Sequence, residues 1–332
     1  MNEFDPSRGQ PPAPIGAGAV IGGVGGAGAA GGAGGMIVPG PMPFTVLLDE
    51  AWRRCRRHLR RLYLPFALPM AALTACVPAL QALLQDPSAP PMQDPAQQLS
   101  RTCLLPLLIM PISLVIAVFY TAMTAAATRA VTGGGADVGQ ALRFAVRPGV
   151  LGAVVMYYLA IVASALCCVL PAFFVAPLFG LVVPAMAVEG VTGVAALRRS
   201  ADLTLYRPGR GQGSRRFSDV PYTLLKVLGV LAVSFVLSYL LSSLVELPLQ
   251  GERWFSLIRH AAAGEDFRAT LSSMLWRDVP ASFLASLGAT VIQLYASFAL
   301  ALLYFDVRAR REGEDLRQAI AGMAVPGAGE PV

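Results

Sequence analysis

Five long stretches of this chain carry no charged side chain: residues 62–85, 102–128, 148–188, 227–245 and 279–305. Acidic and basic residues crowd into the segments between them. A helix needs roughly 20 mainly apolar residues to cross about 30 Å of hydrocarbon, so four of these stretches each predict one crossing. The stretch 148–188 is longer. As one helix it would reach roughly 60 Å, about twice the thickness of the apolar layer. Pro171 near its middle offers a turn, which predicts a tight helical hairpin. The pattern therefore predicts six transmembrane helices, over about 62–84, 103–127, 149–170, 172–188, 224–246 and 280–305. The fold class is an all-α polytopic integral membrane bundle.

Prolines fall inside several predicted crossings: Pro65, Pro69 and Pro78, then Pro106 and Pro111, then Pro177 and Pro184. Each removes a backbone donor and bends its helix, and bundle neighbours can satisfy the carbonyl left behind. We read them as helix-shaping.

Interfacial amphipathic helices are expected beside the crossings. The stretch PFTVLLDEAWRRCRRHLRRLY has Thr45 as a predicted N-cap, Asp49 and Glu50 in the first turn, and arginines towards its end. Trp52 and Tyr63 suit the headgroup boundary. Related triplets, Ala51-Trp52-Arg53, Ala141-Leu142-Arg143 and Ala196-Leu197-Arg198, precede the first, third and fifth crossings. A small residue follows each after one position: Cys55, Ala145 and Ser200. Three repeated units and chance similarity both fit this pattern. After the fifth crossing, Phe267, Leu271, Met274 and Leu275 keep helical spacing and predict a helix on the outer surface, with Trp254 and Trp276 as interface anchors.

Residues 9–48 are one more charge-free stretch, but residues 15–38 contain eleven glycines, which disfavour a packed helix. Residues 1–43 are expected to form a flexible Gly/Ala/Pro tail, residues 44–317 the membrane domain, and residues 318–332 a second flexible tail.

Composition agrees with this division. Of 332 residues, 55% are hydrophobic and 14% charged, against about 25% charged in soluble domains. The net charge is +6, and all 26 basic residues but Lys226 are arginine. They flank apolar runs and match no nucleic-acid reading motif, so the expected partners are the bilayer and its anionic headgroups rather than nucleic acid. With six crossings, nineteen arginines fall on the side of both termini and five on the other. Lys and Arg favour the cytoplasmic side, which places both termini in the cytoplasm. The expected location is a bacterial inner (cytoplasmic) membrane. Five cysteines, Cys55, Cys76, Cys103, Cys167 and Cys168, have no metal-ligand spacing and predict no disulfide framework.

Chemistry-bearing residues are sparse. His58 and His260 both lie outside the apolar runs, which argues against an intramembrane hydrolase or a histidine metal site. No phosphate-loop motif occurs, and no cofactor is expected. The polar candidates are Glu189 at the end of the fourth crossing, Gln293 within the sixth, and Asp306 at its end. Asp306 with Arg310, and Arg198 with Asp202, have the i,i+4 spacing of helical ion pairs. Lys226 is placed to snorkel to the interface, and Gln293 to hydrogen-bond between helices.

The stretch VVPAMAVEGVTGVAALRRSADLT and the ending LLYFDVRARREGEDL resemble the membrane domain family associated with glycerophosphoryl diester phosphodiesterases. The resemblance is carried by Pro184, Glu189, Ala196, Leu197, Arg199 and Ser200, then by Leu303, Tyr304, Asp306, Arg308, Glu312 and Gly313. FTVLLDEAWRRCRRHLRRL is similar as well, so the likeness covers about residues 44–317. The segment RPGRGQGSRR departs from the short loop usual in that family. Some relatives fuse a catalytic barrel to this domain, and this chain is expected to lack one. The resemblance therefore implies a membrane domain without the hydrolase. The expected role is a non-enzymatic scaffold or accessory protein of envelope or lipid metabolism. The alternative is a transporter or channel component moving a small solute or lipid. Self-association and a membrane partner stay open.

Overall fold

The computed structural model describes residues 42–84, 95–167, 169–205, 222–263 and 267–323, and every element among them is an α-helix. In chain order these are α1 (Phe44–Leu84), α2 (Pro95–Val131), α3 (Val138–Ala145), α4 (Pro148–Cys167), α5 (Val169–Phe179), α6 (Val182–Glu189), α7 (Gly193–Thr204), α8 (Tyr222–Ala263) and α9 (Phe267–Met323). Four helices are long and apolar enough to cross a membrane unaided: α1, α2, α8 and α9. The count becomes six when α3 with α4, bent by 70°, and the α5–α6 segment with α7, bent by 116°, each form one span. The chain is thus an all-α polytopic bundle.

Several elements differ in extent from the sequence reading. The basic amphipathic segment and the first crossing are one 41-residue helix, α1. Thr45 lies inside it rather than capping it, and the Pro43 carbonyl accepts the first helical bond from Leu47 N at 3.0 Å. The predicted outer-surface helix and the sixth crossing are likewise one 57-residue helix, α9. It continues to Met323, through part of the expected C-terminal tail. α8 runs 42 residues, well beyond the fifth crossing. Charged residues do not interrupt i to i−4 bonding, so a helix passes from apolar surroundings into polar ones without a break.

Pro171 does not form the turn. It lies within α5, three residues after Cys168, which is outside the described residues. The predicted fourth crossing is interrupted at Gly180 and Leu181, between α5 and α6. Pro184 occupies the first turn of α6, where a missing N–H costs nothing because first-turn donors have no partner within the helix. Gly190 ends α6 in the left-handed conformation (φ 71°), its N–H bonding the Met186 carbonyl at 3.2 Å, and this αL cap frees the chain to swing into α7. Residues 1–41, 85–94, 206–221 and 324–332 lie outside the described residues, including most of the expected N-terminal tail and the RPGRGQGSRR segment.

α9 is the central helix. α1 runs along it in the opposite sense: Met42 meets Asp306, the Trp52 ring meets Tyr295 at 6.1 Å, and the Tyr63 hydroxyl donates to the Leu287 carbonyl at 3.0 Å. The core joins Leu47, Leu62 and Phe66 of α1 to Leu294, Phe298 and Leu302 of α9. α2 contributes Ala122, Ala126 and Ala127, all fully buried, and such small side chains let helix backbones approach closely without relying on a hydrophobic driving force. The three basic helical segments each bury a small pair one turn apart: Ala51 with Cys55, Ala141 with Ala145, and Ala196 with Ser200. In each, the arginine of the triplet (Arg53, Arg143, Arg198) is exposed. The three triplets therefore play one packing role.

Candidate functional site

The polar candidates gather at the basic end of the bundle, around two positions of α9 that lie two residues apart. Tyr304 and Asp306 point to different sides of the helix, because successive helical positions turn by about 100°. Both are buried, and each closes a separate network.

On the first side, Glu189 at the end of α6 receives two nitrogens of one guanidinium, that of Arg199. Arg199 Nε reaches Oε2 at 2.8 Å, and its second nitrogen reaches Oε1 at 2.8 Å. This is the fork geometry that suits arginine to carboxylates. The Tyr304 hydroxyl donates to Oε1 at 2.7 Å. The turn at Gly190 makes this possible by folding α7 back beside the end of α6. Next to Arg199 on α7, Ser200 donates to the Leu178 carbonyl at 3.0 Å, and Thr204, one turn on, reaches the same oxygen at 3.3 Å. That carbonyl belongs to the last turn of α5, where no helical donor follows. Ser200 thus caps a helix end.

On the second side, Asp306 pairs with Lys226 of α8 at 2.9 Å, the two side chains being 3% and 4% exposed. Asp306 also accepts from Met42 N at 2.8 Å and from Arg310 Nε at 3.2 Å. The Met42 carbonyl in turn accepts from Lys226 Nζ at 3.1 Å and from Arg310 at 3.3 Å. The Asp306–Arg310 pair forms as its spacing implies. Lys226 does not snorkel: it is buried, with the carboxylate and a peptide carbonyl replacing water. Met42 belongs to this network rather than to a free tail.

Arg198 and Asp202 form no ion pair between them, and both are exposed. Arg54 bonds Glu50 at 2.8 Å and the Val131 carbonyl at 3.1 Å, placing a cation on the C-terminal end of α2. Arg129 and Arg147 lie over the Phe144 ring at 5.6 and 5.9 Å, within cation–π range. Arg53, Arg56, Arg57, Arg60 and Arg61 are exposed along α1. His58 stacks on Phe298 at 5.9 Å. Cys55 is buried and Cys76 exposed, both as free thiols. No group of three or more His, Cys, Asp or Glu side chains is arranged to hold a metal among the described residues.

Gln293 stands apart from both networks. It lines a half-open cavity of about 1040 Å³ bordered by α2, α4, α5, α6, α8 and α9. The expected helix-to-helix hydrogen bond is not made: Gln293 Oε1 is buried without a partner among the described residues. The neighbouring hydroxyls of Thr121, Ser234 and Ser297 bond carbonyls of their own helices, at 2.9, 2.7 and 2.9 Å. No Asp, Glu, Lys, Arg or His is among the described residues that line the cavity. Composition marked Gln293 as polar within an apolar run, but the space in front of it arises only when six helices assemble.

No protein-family model, curated protein or solved structure matches this chain.

Proposed function

We propose that this protein is a non-enzymatic multi-pass membrane protein, an accessory or scaffold component of envelope or lipid metabolism. In this reading it is a membrane domain of the kind associated with glycerophosphoryl diester phosphodiesterases, set in a bacterial inner membrane with both termini in the cytoplasm. One observation carries the reading. The motif residues able to do chemistry are already engaged in joining helices: Glu189 by Arg199 and Tyr304, Asp306 by Lys226, Arg310 and Met42, Ser200 by a helix-end carbonyl. A general base or nucleophile must instead reach a substrate proton or carbon.

The exposed α1 arginines supply the lipid contact, since a basic residue near an anionic surface contributes on the order of 1 kcal/mol. In detergent-solubilised protein, retained phosphatidylglycerol should exceed phosphatidylcholine. Replacing Arg53, Arg56, Arg57, Arg60 and Arg61 together by Gln should remove most of that preference. An unchanged preference argues against the reading. Hydrolysis of a glycerophosphodiester by the purified chain, lost in Glu189→Gln, would overturn it.

The cavity favours a second reading, a transporter component. Its uncharged wall suits a neutral solute or lipid rather than an ion, and flux in proteoliposomes that Gln293→Leu reduces would establish it.

A further inference from the structure

α1 and α8 flank the same part of α9 with opposite surface chemistry. α1 follows it from Met42, bonded to Asp306, past Trp52, against Tyr295, to Tyr63, bonded to the Leu287 carbonyl. α8 follows it from Lys226, paired with Asp306, to Leu241, whose Cδ2 lies 2.7 Å from a Cβ added at Gly288. Residues 287–306 of α9 span roughly 28 Å, close to the about 30 Å of a hydrocarbon layer. Between Lys226 and Leu241 the chain carries no charge, and Phe235, Val236, Leu237, Tyr239 and Leu240 are exposed. Between Met42 and Tyr63 the exposed side chains include Arg53, Arg56, Arg57, Arg60 and Arg61. One slab of the bundle thus presents an acyl-chain surface on α8 and a cationic surface on α1.

An arginine at acyl-chain depth is tolerated when its side chain snorkels, or when the bilayer thins and admits headgroups and water. Helical side chains lean towards their N-terminus, which on α1 is the basic end, so each arginine gains something by snorkelling. That does not suffice. Arg60 follows Met42 by roughly 27 Å of helix, farther than one side chain reaches. The bilayer has to give way along α1. Arg56, Arg57, Arg60 and Arg61 have no acidic partner among the described residues, while Asp49 and Glu50 are taken by Arg53 and Arg54. A second copy of this face would bring like charge against it. Val46, Trp52 and Leu64 are exposed along the same stretch of α1, so the surface offers cations to phosphates and apolar groups to chains. That combination fits an anionic amphiphile rather than a free phosphate.

We propose that the bilayer is thinned beside α1, where residues 53–61 draw anionic phospholipid headgroups down to the level of Tyr295, while the α8 face meets lipid of ordinary thickness. The proposal rests on the anionic-lipid reading given above and adds depth to it. Lipids at these arginines hold their phosphates where lipids on the α8 face hold chain carbons. Anionic preference with ordinary depth would sink this proposal alone; loss of the preference itself would sink both.

The test uses full-length protein in nanodiscs of mixed phosphatidylglycerol and phosphatidylcholine, with one tryptophan as the depth probe. Trp52 and Phe235 lie near the level of Tyr295, between the contacts that bracket each helix. Trp254→Phe and Trp276→Phe leave Trp52 alone on α1, and adding Trp52→Phe with Phe235→Trp moves the single indole to α8. Lipids carry a nitroxide at the top or the end of one acyl chain. The chain-top label should quench Trp52 more strongly than the chain-end label, and the order should reverse for Phe235→Trp. Their apparent depths should differ by roughly 10–15 Å, up to half the hydrocarbon layer. At equal mole fraction, chain-top label on phosphatidylglycerol should quench Trp52 several-fold more than the same label on phosphatidylcholine. Replacing Arg56, Arg57, Arg60 and Arg61 together by Leu should shift Trp52 towards the chain-end depth. If that variant fails to fold, the two single-tryptophan proteins decide alone. Equal depth of the two indoles would overturn the proposal, as would equal quenching of Trp52 by the two lipids. Quenching of Trp52 by aqueous acrylamide but by neither lipid label would overturn it too.

Discussion

Removing the Asp306 carboxylate takes a buried counter-ion from Lys226 among side chains that water scarcely reaches. Breaking one half of a buried pair costs about 3–5 kcal/mol, whereas replacing both halves with apolar groups costs far less. Asp306→Asn should therefore lower the apparent melting temperature in detergent sharply, and Lys226→Met with Asp306→Leu should recover part of the loss. Full recovery is not expected, because Met42 N and Arg310 also rely on the carboxylate. Equal melting of the single and double variants would refute the pairing. The Asp306–Arg310 half was legible from i,i+4 spacing. The Lys226 half was not, because no periodicity relates residues 80 positions apart. Arg198 and Asp202 share the favourable spacing yet stay apart on an exposed face, where an ion pair gains little. Their neighbour Arg199 took the functional-looking role by reaching Glu189.

At the level of elements, apolar runs announced the helices well and their ends poorly. The run lengths mark every long span, but charge does not end a helix, so α1, α8 and α9 each extend past their apolar runs into charged sequence. Helix breaks depended on orphan backbone groups. Pro184 occupies a first turn, and the interruption lies at Gly180, which composition did not single out. Glycines within one helix also differ by their surroundings. A Cβ at Gly149 of α4 would lie 2.9 Å from Thr192 Cβ, while one at Gly152 meets nothing within 4 Å. Gly149→Ala should destabilise by about 1–3 kcal/mol through overpacking. Gly152→Ala should be neutral or stabilise by up to ~1 kcal/mol through helix propensity. Thermal unfolding of the two variants in one detergent checks the contrast, and a reversed order would refute the packing.

For the whole molecule, alternation of charge-rich and charge-free segments revealed a polytopic bundle, while the cavity stayed hidden. A void is a property of six helices at once, and its wall reads as ordinary apolar sequence. The arginine asymmetry makes a prediction at this scale. Fluorescent protein fused after residue 332 should glow in intact cells, and alkaline phosphatase fused there should stay inactive. Fusions within residues 85–94 should give the opposite pair of signals. An active phosphatase at residue 332 would invert the topology.

The grip on Met42 has a consequence for sequence variation. Asp306, Lys226 and Arg310 hold the peptide N–H and carbonyl at this position, so nearly any side chain can present the same two atoms. Proline alone lacks the hydrogen. Natural drift at position 42 should then range over apolar side chains, since Met42 also packs against the core, with one forbidden amino acid, and the invariance belongs to the three side chains that do the holding.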